Sequence, residues 1–268
     1  MPALVAFLLM VLSTTAADAQ TYPMNAPVPK TTSAPALRDL AAQREVEERF
    51  TIGLDALSRR DWQGAAQEFE RVIALDPHEP KGSTARYDLA IADANLGRND
   101  DAAVALRSAI ALDPGFLAAM ANLVSIDLSR GDLREARAVA DRFVGLAPDS
   151  ARALYARGIV ALRAGDGGTA RDDFGKLLHL NPAYAVAHYD LALAEERLGH
   201  IDAAERELRT ALSLAPTYAR AEFALGAVLL REGRRSEARE AFVQTMRDAS
   251  GDPALLNIAA AMRDSIAI

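Results

Sequence analysis

A chain of 268 residues with a formal net charge of −7 is long enough for one or two compact domains or for one extended array of repeats. It is too acidic to be a general binder of nucleic acid or of anionic membrane. Only 6% of its residues are aromatic; alanine and leucine carry the apolar content, which favours helices over strands. The absence of cysteine excludes disulfides, thiolate metal sites, cysteine nucleophiles and lipid attachment at an N-terminal cysteine.

At the N-terminus, residues Ala3 to Leu12 form an unbroken apolar run, and Ser13 to Ala19 follow it, ending in Ala17-Asp18-Ala19. An apolar run followed by a small-x-small pattern reads as a secretory signal peptide over 1–19, cleaved before Gln20, which would send the protein to the periplasm or outside the cell. No Lys or Arg precedes the run, so only the α-amino group supplies positive charge. The run is shorter than the roughly 20 residues that cross a bilayer. No second long apolar run follows it, so no stable membrane insertion is expected. Residues 20–35 carry Pro23, Pro27, Pro29 and Pro35 among small polar residues, a composition that predicts a flexible linker.

Beyond the linker the sequence repeats itself. Leu75-Asp76-Pro77, Leu112-Asp113-Pro114, Leu146-Ala147-Pro148, Leu180-Asn181-Pro182 and Leu214-Ala215-Pro216 place prolines at intervals of 37, 34, 34 and 34 residues, the first interval carrying three extra residues near Pro80-Lys81-Gly82. The register divides the chain into six units, 46–79, 83–116, 117–150, 151–184, 185–218 and 219–252. Position 20 of each unit is alanine (Ala65, Ala102, Ala136, Ala170, Ala204, Ala238), and position 8 is small or short (Gly53, Ala90, Val124, Gly158, Ala192, Gly226). Such residues let two helices of a pair approach closely. Position 28 is apolar throughout (Ile73, Ile110, Val144, Leu178, Leu212, Met246). Position 15 is glycine in five units (Gly97, Gly131, Gly165, Gly199, Gly233), where a first helix must end and turn. The proline at position 32 stops the second helix.

These residues resemble the tetratricopeptide repeat family, whose 34-residue unit carries the same pattern of small residues, turn and proline, and the resemblance spans 46–252. It implies an all-α fold: a right-handed α-solenoid of six helix-turn-helix repeats over 36–252, with first helices lining a concave face and stacked neighbours burying the apolar faces that one unit cannot bury alone. Three units depart from the pattern: Arg60 stands at the turn of the first, Arg157 at a usually apolar place in the fourth, and Ser250 replaces proline in the sixth. Upstream, Ala36–Arg49 is helical in character and lengthens the first helix. Downstream, Asp252-Pro253 is an N-cap followed by proline at the first helical position. The segment 253–268 then carries Leu255, Ile258, Ala259, Met262 and Ile266 on one stripe, which predicts a C-terminal capping helix.

Chemistry-bearing motifs are missing. The four histidines, His78, His179, His188 and His200, include no pair at i, i+4, and the chain has no HExxH, no GxSxG, no phosphate-binding GxxxxGK[ST] and no GxGxxG. Gly165-Asp166-Gly167-Gly168 falls at a repeat turn with no strand before it, and the acidic pairs Asp172-Asp173 and Glu195-Glu196 are adjacent and so point to different sides of a helix. No catalytic residue, metal ligand or cofactor is expected.

The informative positions line the first helices. Position 5 reads Phe50, Tyr87, Ala121, Tyr155, Tyr189 and Phe223. Aromatic rings there serve packing in the family, and they also form a ladder suited to an extended or helical peptide. Around the last three, positions 2 and 13 supply Arg152, Arg163, Arg197, Arg220 and Arg231, diluted by Asp190 and Glu196. The expected binding site is therefore Tyr87, Arg152, Tyr155, Tyr189, Arg197, Arg220 and Phe223, with an acidic peptide or a C-terminal carboxylate as ligand. Of the 30 basic residues only Lys30, Lys81 and Lys176 are lysines, so an arginine-rich composition accounts for these side chains equally well. The two-carboxylate clamp of chaperone-binding relatives needs Lys and Asn at set groove positions, which here are mostly aromatic or aliphatic. The resemblance implies a non-enzymatic protein-binding scaffold or adaptor, in envelope assembly, secretion or polysaccharide export. The alternative is a structural subunit that oligomerises through its ends or convex face; catalysis is the third reading.

Overall fold

The computed structural model describes residues 34–75, 80–249 and 251–266. The expected signal peptide, nearly all of the expected linker, His78, Pro77 and Ser250 lie outside them. The described residues fold into thirteen helices without a strand: α1 (Ala34–Ser58), α2 (Trp62–Leu75), α3 (Pro80–Asn95), α4 (Asn99–Leu112), α5 (Leu117–Arg130), α6 (Leu133–Leu146), α7 (Ala151–Ala164), α8 (Gly167–Leu180), α9 (Ala185–Arg197), α10 (Ile201–Leu214), α11 (Ala219–Arg231), α12 (Arg235–Asp248) and α13 (Pro253–Ser265). The chain is all-α, as expected. It forms two compact units, Met1–Val139 and Ala140–Ile268. Helix α1 begins two residues earlier than expected, with Pro35 in its first turn, where the missing N–H costs nothing.

Within each unit the helices pair as the register requires. In the first unit α1 packs on α2 and α3 on α4; in the second, α7 packs on α8, α9 on α10 and α11 on α12, and α2, α4, α8 and α10 each also contact the next first helix. The six position-20 alanines are wholly buried. Five glycines at position 15 have φ between 77° and 83°, and Arg60 occupies the same left-handed turn in the first repeat at φ 60°. A Cβ in that region is strained, so the recurrence of glycine follows from the turn itself.

The packing inside a pair rests on a volume exchange. A Cβ added to Gly53 would lie 2.9 Å from the Phe69 ring, one on Gly158 2.6 Å from Phe174 Cε1, and one on Gly226 2.8 Å from Phe242 Cε1. Position 24 is thus phenylalanine where position 8 is glycine. Where position 8 is Ala90 or Ala192, position 24 is Leu106 or Leu208, and Val124 goes with Ala140. Two helices can lie close with a large ring between them only if the facing residue has no side chain.

Arg157 keeps a polar partner within its own repeat. Its guanidinium makes two parallel bonds to Asp173, Nε to Oδ2 at 2.8 Å and Nη2 to Oδ1 at 2.7 Å, with Asp173 only 1% exposed. The fork satisfies a carboxylate that would otherwise be stranded in the core.

At the C-terminal end Asp252 caps α13 by accepting the Leu255 backbone N–H at 3.1 Å, with Pro253 in the first turn, as expected. The buried stripe differs from the expected one in one residue. Ala259 and Ile266 are buried, Met262 and Ile266 pack against the core of the second unit, and Ile258 is 53% exposed. Helix α13 is rotated so that the apolar line runs through Leu255/Leu256, Ala259, Met262 and Ile266, and Ile258 faces solvent although its spacing from Leu255 and Met262 also fits one helix face.

The volume exchange predicts the behaviour of two variants. Gly158→Ala should destabilise the protein by about 1–3 kcal/mol, because Phe174 must leave its rotamer or the helices must separate. Adding Phe174→Leu, which recreates the Ala192/Leu208 pairing, should give a double variant more stable than the sum of the single losses, as read by urea denaturation.

Candidate functional site

The position-5 rings do not stand alone. In the second unit α9 and α11 are each preceded by an aromatic residue at position 34 of the repeat before it, and the ring folds back on position 5 of its own repeat. Tyr184, just before α9, lies 5.8 Å from Tyr155 of α7, and Tyr218, just before α11, lies 5.2 Å from Tyr189 of α9. In the first unit Phe116 lies 5.0 Å from Tyr87 in the same way. Position 34 was not among the expected site positions, although its aromatic recurrence is visible in the sequence.

A polar residue at position 6 of the following repeat completes two of the arrangements, while Ala224 stands at that position after Tyr189 and Tyr218. Asn122 Nδ2 donates to the Tyr87 hydroxyl oxygen at 3.3 Å. In the second unit the equivalent residue is Asp190 of α9, whose carboxylate accepts a hydrogen bond from the Tyr155 hydroxyl. Asp190 is 6% exposed, and its Oδ2 has no partner among the described residues. Burial pushes its carboxyl up to about 7, against the opposing pull of the Tyr155 hydroxyl. The same negative charge acts on all four rings. Burial and then Asp190 raise Tyr155, Tyr184 and Tyr218, and the same two causes take Tyr189 up to about 12. Asp88, also at position 6, is buried in the first unit and raised to about 7 by desolvation. The sequence marks Asp190 only as a charge diluting the arginines; its burial is a tertiary fact.

The expected site residues fall into three groups. Tyr87 belongs to the first unit and is buried, as is Tyr155 in the second, so both rings are packing residues that offer a ligand little surface. Tyr189 and Phe223 are half-buried, Phe223 resting 5.4 Å from Phe242. The arginines are dispersed: Arg152 is half-buried in the first turn of α7, and Arg197 is exposed in the last turn of α9. Arg220 turns its Nη2 to Asp252 at 3.6 Å, and Arg231 pairs with Glu196 at 2.8 Å. Positive charge around the rings is thus partly met by carboxylates of the protein itself.

Two of the histidines are each placed with one carboxylate. His188 Nδ1 lies 2.6 Å from Glu207 with Nε2 3.0 Å from the Pro182 carbonyl, and His200 Nδ1 lies 2.6 Å from Glu195. Among the described residues no three candidate ligands gather to hold a metal ion, and no helix is long and apolar enough to cross a membrane.

Known proteins share this architecture. Tetratricopeptide repeat family models match residues 50–115 and 189–253, 96–158, and 151–172. No curated protein matches the chain. Among solved structures, MamA is 25% identical over 62% of this chain and 91% of its own, with a TM-score of 0.56. A tetratricopeptide repeat protein from Parabacteroides merdae is 17% identical over 84% of this chain and 94% of its own, with a TM-score of 0.67. YrrB, described as a protein of this type with an unusual peptide-binding site, is 16% identical over 74% of this chain and all of its own, with a TM-score of 0.58. The last two likenesses speak to the fold alone.

The raised Asp190 carboxyl makes stability depend on pH. An unfolded aspartate titrates near ~4. Between there and about 7 the folded protein holds a proton that the unfolded chain has lost, so this group's contribution is full below ~4 and falls as pH rises through about 7. Asp190→Asn removes the effect: relative to wild type, the variant should gain stability from pH 5 to pH 8 in urea denaturation.

Proposed function

From the premise that the chain belongs to the tetratricopeptide repeat family, we propose that it is a non-enzymatic scaffold that binds a partner peptide or protein along the first helices of its second unit. The family supports an interaction scaffold in general. The observation that carries the more specific reading is the tilted ring pairs Tyr155–Tyr184 and Tyr189–Tyr218 on successive repeats, with three of the four rings half-exposed. Amphipathic rings on neighbouring helices offer large contact area at low entropy cost, at a repeat spacing that an extended segment can follow. Arg197 at the end of α9 adds an exposed forked donor. An acidic ligand fits less well than the sequence alone implies, because Arg220 and Arg231 already face Asp252 and Glu196.

The partner is reached by capture from envelope extract on immobilised protein and identification by mass spectrometry. Titration calorimetry with Tyr189→Ala/Arg197→Ala should then show at least a tenfold loss of affinity, on the order of 1.4 kcal/mol, with little change in the melting curve. Full affinity in the double variant, with the fold intact, would move the site elsewhere and favour assembly through the ends.

The apolar run and Ala17-Asp18-Ala19 support export to the periplasm, where an envelope-assembly, secretion or polysaccharide-export adaptor would act. N-terminal sequencing of protein from the periplasmic fraction should begin at Gln20. Intact Met1 on protein confined to the cytosol overturns this part of the proposal.

A further inference from the structure

The Asp190 cluster has a feature that peptide packing does not require. Burying a carboxylate without a full set of donors is costly, and tertiary structures normally supply them. The equivalent position in the first unit, Asn122, serves the Tyr87 hydroxyl without a charge. Asp190 instead carries a carboxylate with one oxygen engaged by Tyr155 and Oδ2 left without a partner among the described residues. Around it stand the rings of Tyr155 from α7, Tyr184 before α9, Tyr189 on α9 itself and Tyr218 before α11. Ring faces are negative and attract cations, and an aromatic cluster over an incompletely satisfied carboxylate combines the two attractions that hold an ammonium or guanidinium group. The nearby protein cation is directed away, since Arg220 on α11 reaches Asp252.

Resting on the peptide-binding reading above, we propose that the tyrosine cluster around Asp190 receives a cationic side chain, the ammonium of a lysine or the guanidinium of an arginine, from a bound extended peptide. The partner segment is thus basic at the point where it crosses α9, matching the acidic charge of the chain as a whole. Tyr184, Tyr189 and Tyr218 are half-exposed whereas Asp190 is buried, so entry of the cation requires side chains to move.

A cation at this place favours the ionised carboxylate, which burial otherwise disfavours, so binding should release a proton and strengthen as pH rises through about 7. The other titratable and charged groups nearby are the four tyrosines, Glu196 and Arg220, which act on Tyr189, and His188 on α9, engaged with Glu207. Asp190→Asn retains all of them, so the pH dependence that it abolishes belongs to Asp190.

The test uses the full chain with 13C-labelled tyrosine and three pentapeptides, acetyl-Gly-Ala-X-Ala-Gly-amide with X lysine, norleucine or glutamate, followed by NMR. The lysine peptide should shift the ring signals of Tyr184, Tyr189 and Tyr218 saturably and bind at least tenfold more tightly than the norleucine peptide, and the advantage should grow between pH 6 and pH 8. Asp190→Asn should reduce the lysine peptide to the norleucine level at both pH values. The unliganded ring signals of Asp190→Asn should keep the wild-type dispersion, which guards against a folding artefact. Equal binding of the lysine and norleucine peptides, or preference for glutamate, overturns the cation site and leaves the peptide groove standing. Binding of no peptide to the tyrosine rings overturns both.

Discussion

A first helix can lie on its second helix at the observed separation only because positions 8 and 24 share one volume between them. Where the ring of Phe69, Phe174 or Phe242 fills the interface, Gly53, Gly158 or Gly226 faces it, and no Cβ would fit. The alanines at position 20 are wholly buried as well, small residues that permit close approach. Close packing of this kind is intolerant of even one methyl group, so the pair has one geometry instead of a family of similar ones. With the pair fixed, the left-handed turn at position 15 repeats within a few degrees, and each first helix presents its residues in the same register.

That uniformity makes the surface chemistry additive along the chain. Tyr87 and Tyr155 at position 5 each meet an aromatic ring at position 34 of their own repeat and a polar group at position 6 of the next. The two tyrosine-to-polar contacts, Tyr87 with Asn122 and Tyr155 with Asp190, span the same number of residues. A ring ladder built this way has its spacing set by the core. Changing one ring changes what the surface holds without altering where the next ring stands.

The buried charges show where the repeat pattern departs from its apolar norm and how each departure is balanced. Asp173 is fully forked by Arg157. Asp127 accepts from Arg107 at 2.7 Å with Arg130 3.6 Å away, yet its Oδ2 is unpartnered among the described residues and burial raises its carboxyl. Asp190 has a tyrosine in place of a cation. A neutral donor offsets less of the desolvation of a carboxylate than a guanidinium does, which is why Asp190 titrates near neutrality.

Periodicity alone determined that this chain is a helical repeat array. The spacing of prolines, the alanines at position 20, the glycines at position 15 and the Asp252-Pro253 start of α13 are local requirements of turns, caps and close helices, and local requirements are written in single residues at fixed offsets. Tertiary structure alone decided which of the aromatic and charged residues a ligand could meet. Tyr87 and Tyr155 carry the same residue type and register as Tyr189 but are buried, because burial depends on what neighbouring repeats place over a ring. Ile258 reads as a core residue from spacing and faces solvent, because helix rotation is set by the surface it packs on. Arg220 and Arg231 read as a positive patch and are met by Asp252 and Glu196, carboxylates 32 and 35 residues away in sequence. Asp190, one acidic residue among many in the sequence, becomes the centre of four rings only when α7, α9 and the turns before α9 and α11 come together. Long-range contacts of this kind have no local signature, since the free energy that selects them is that of the assembled core.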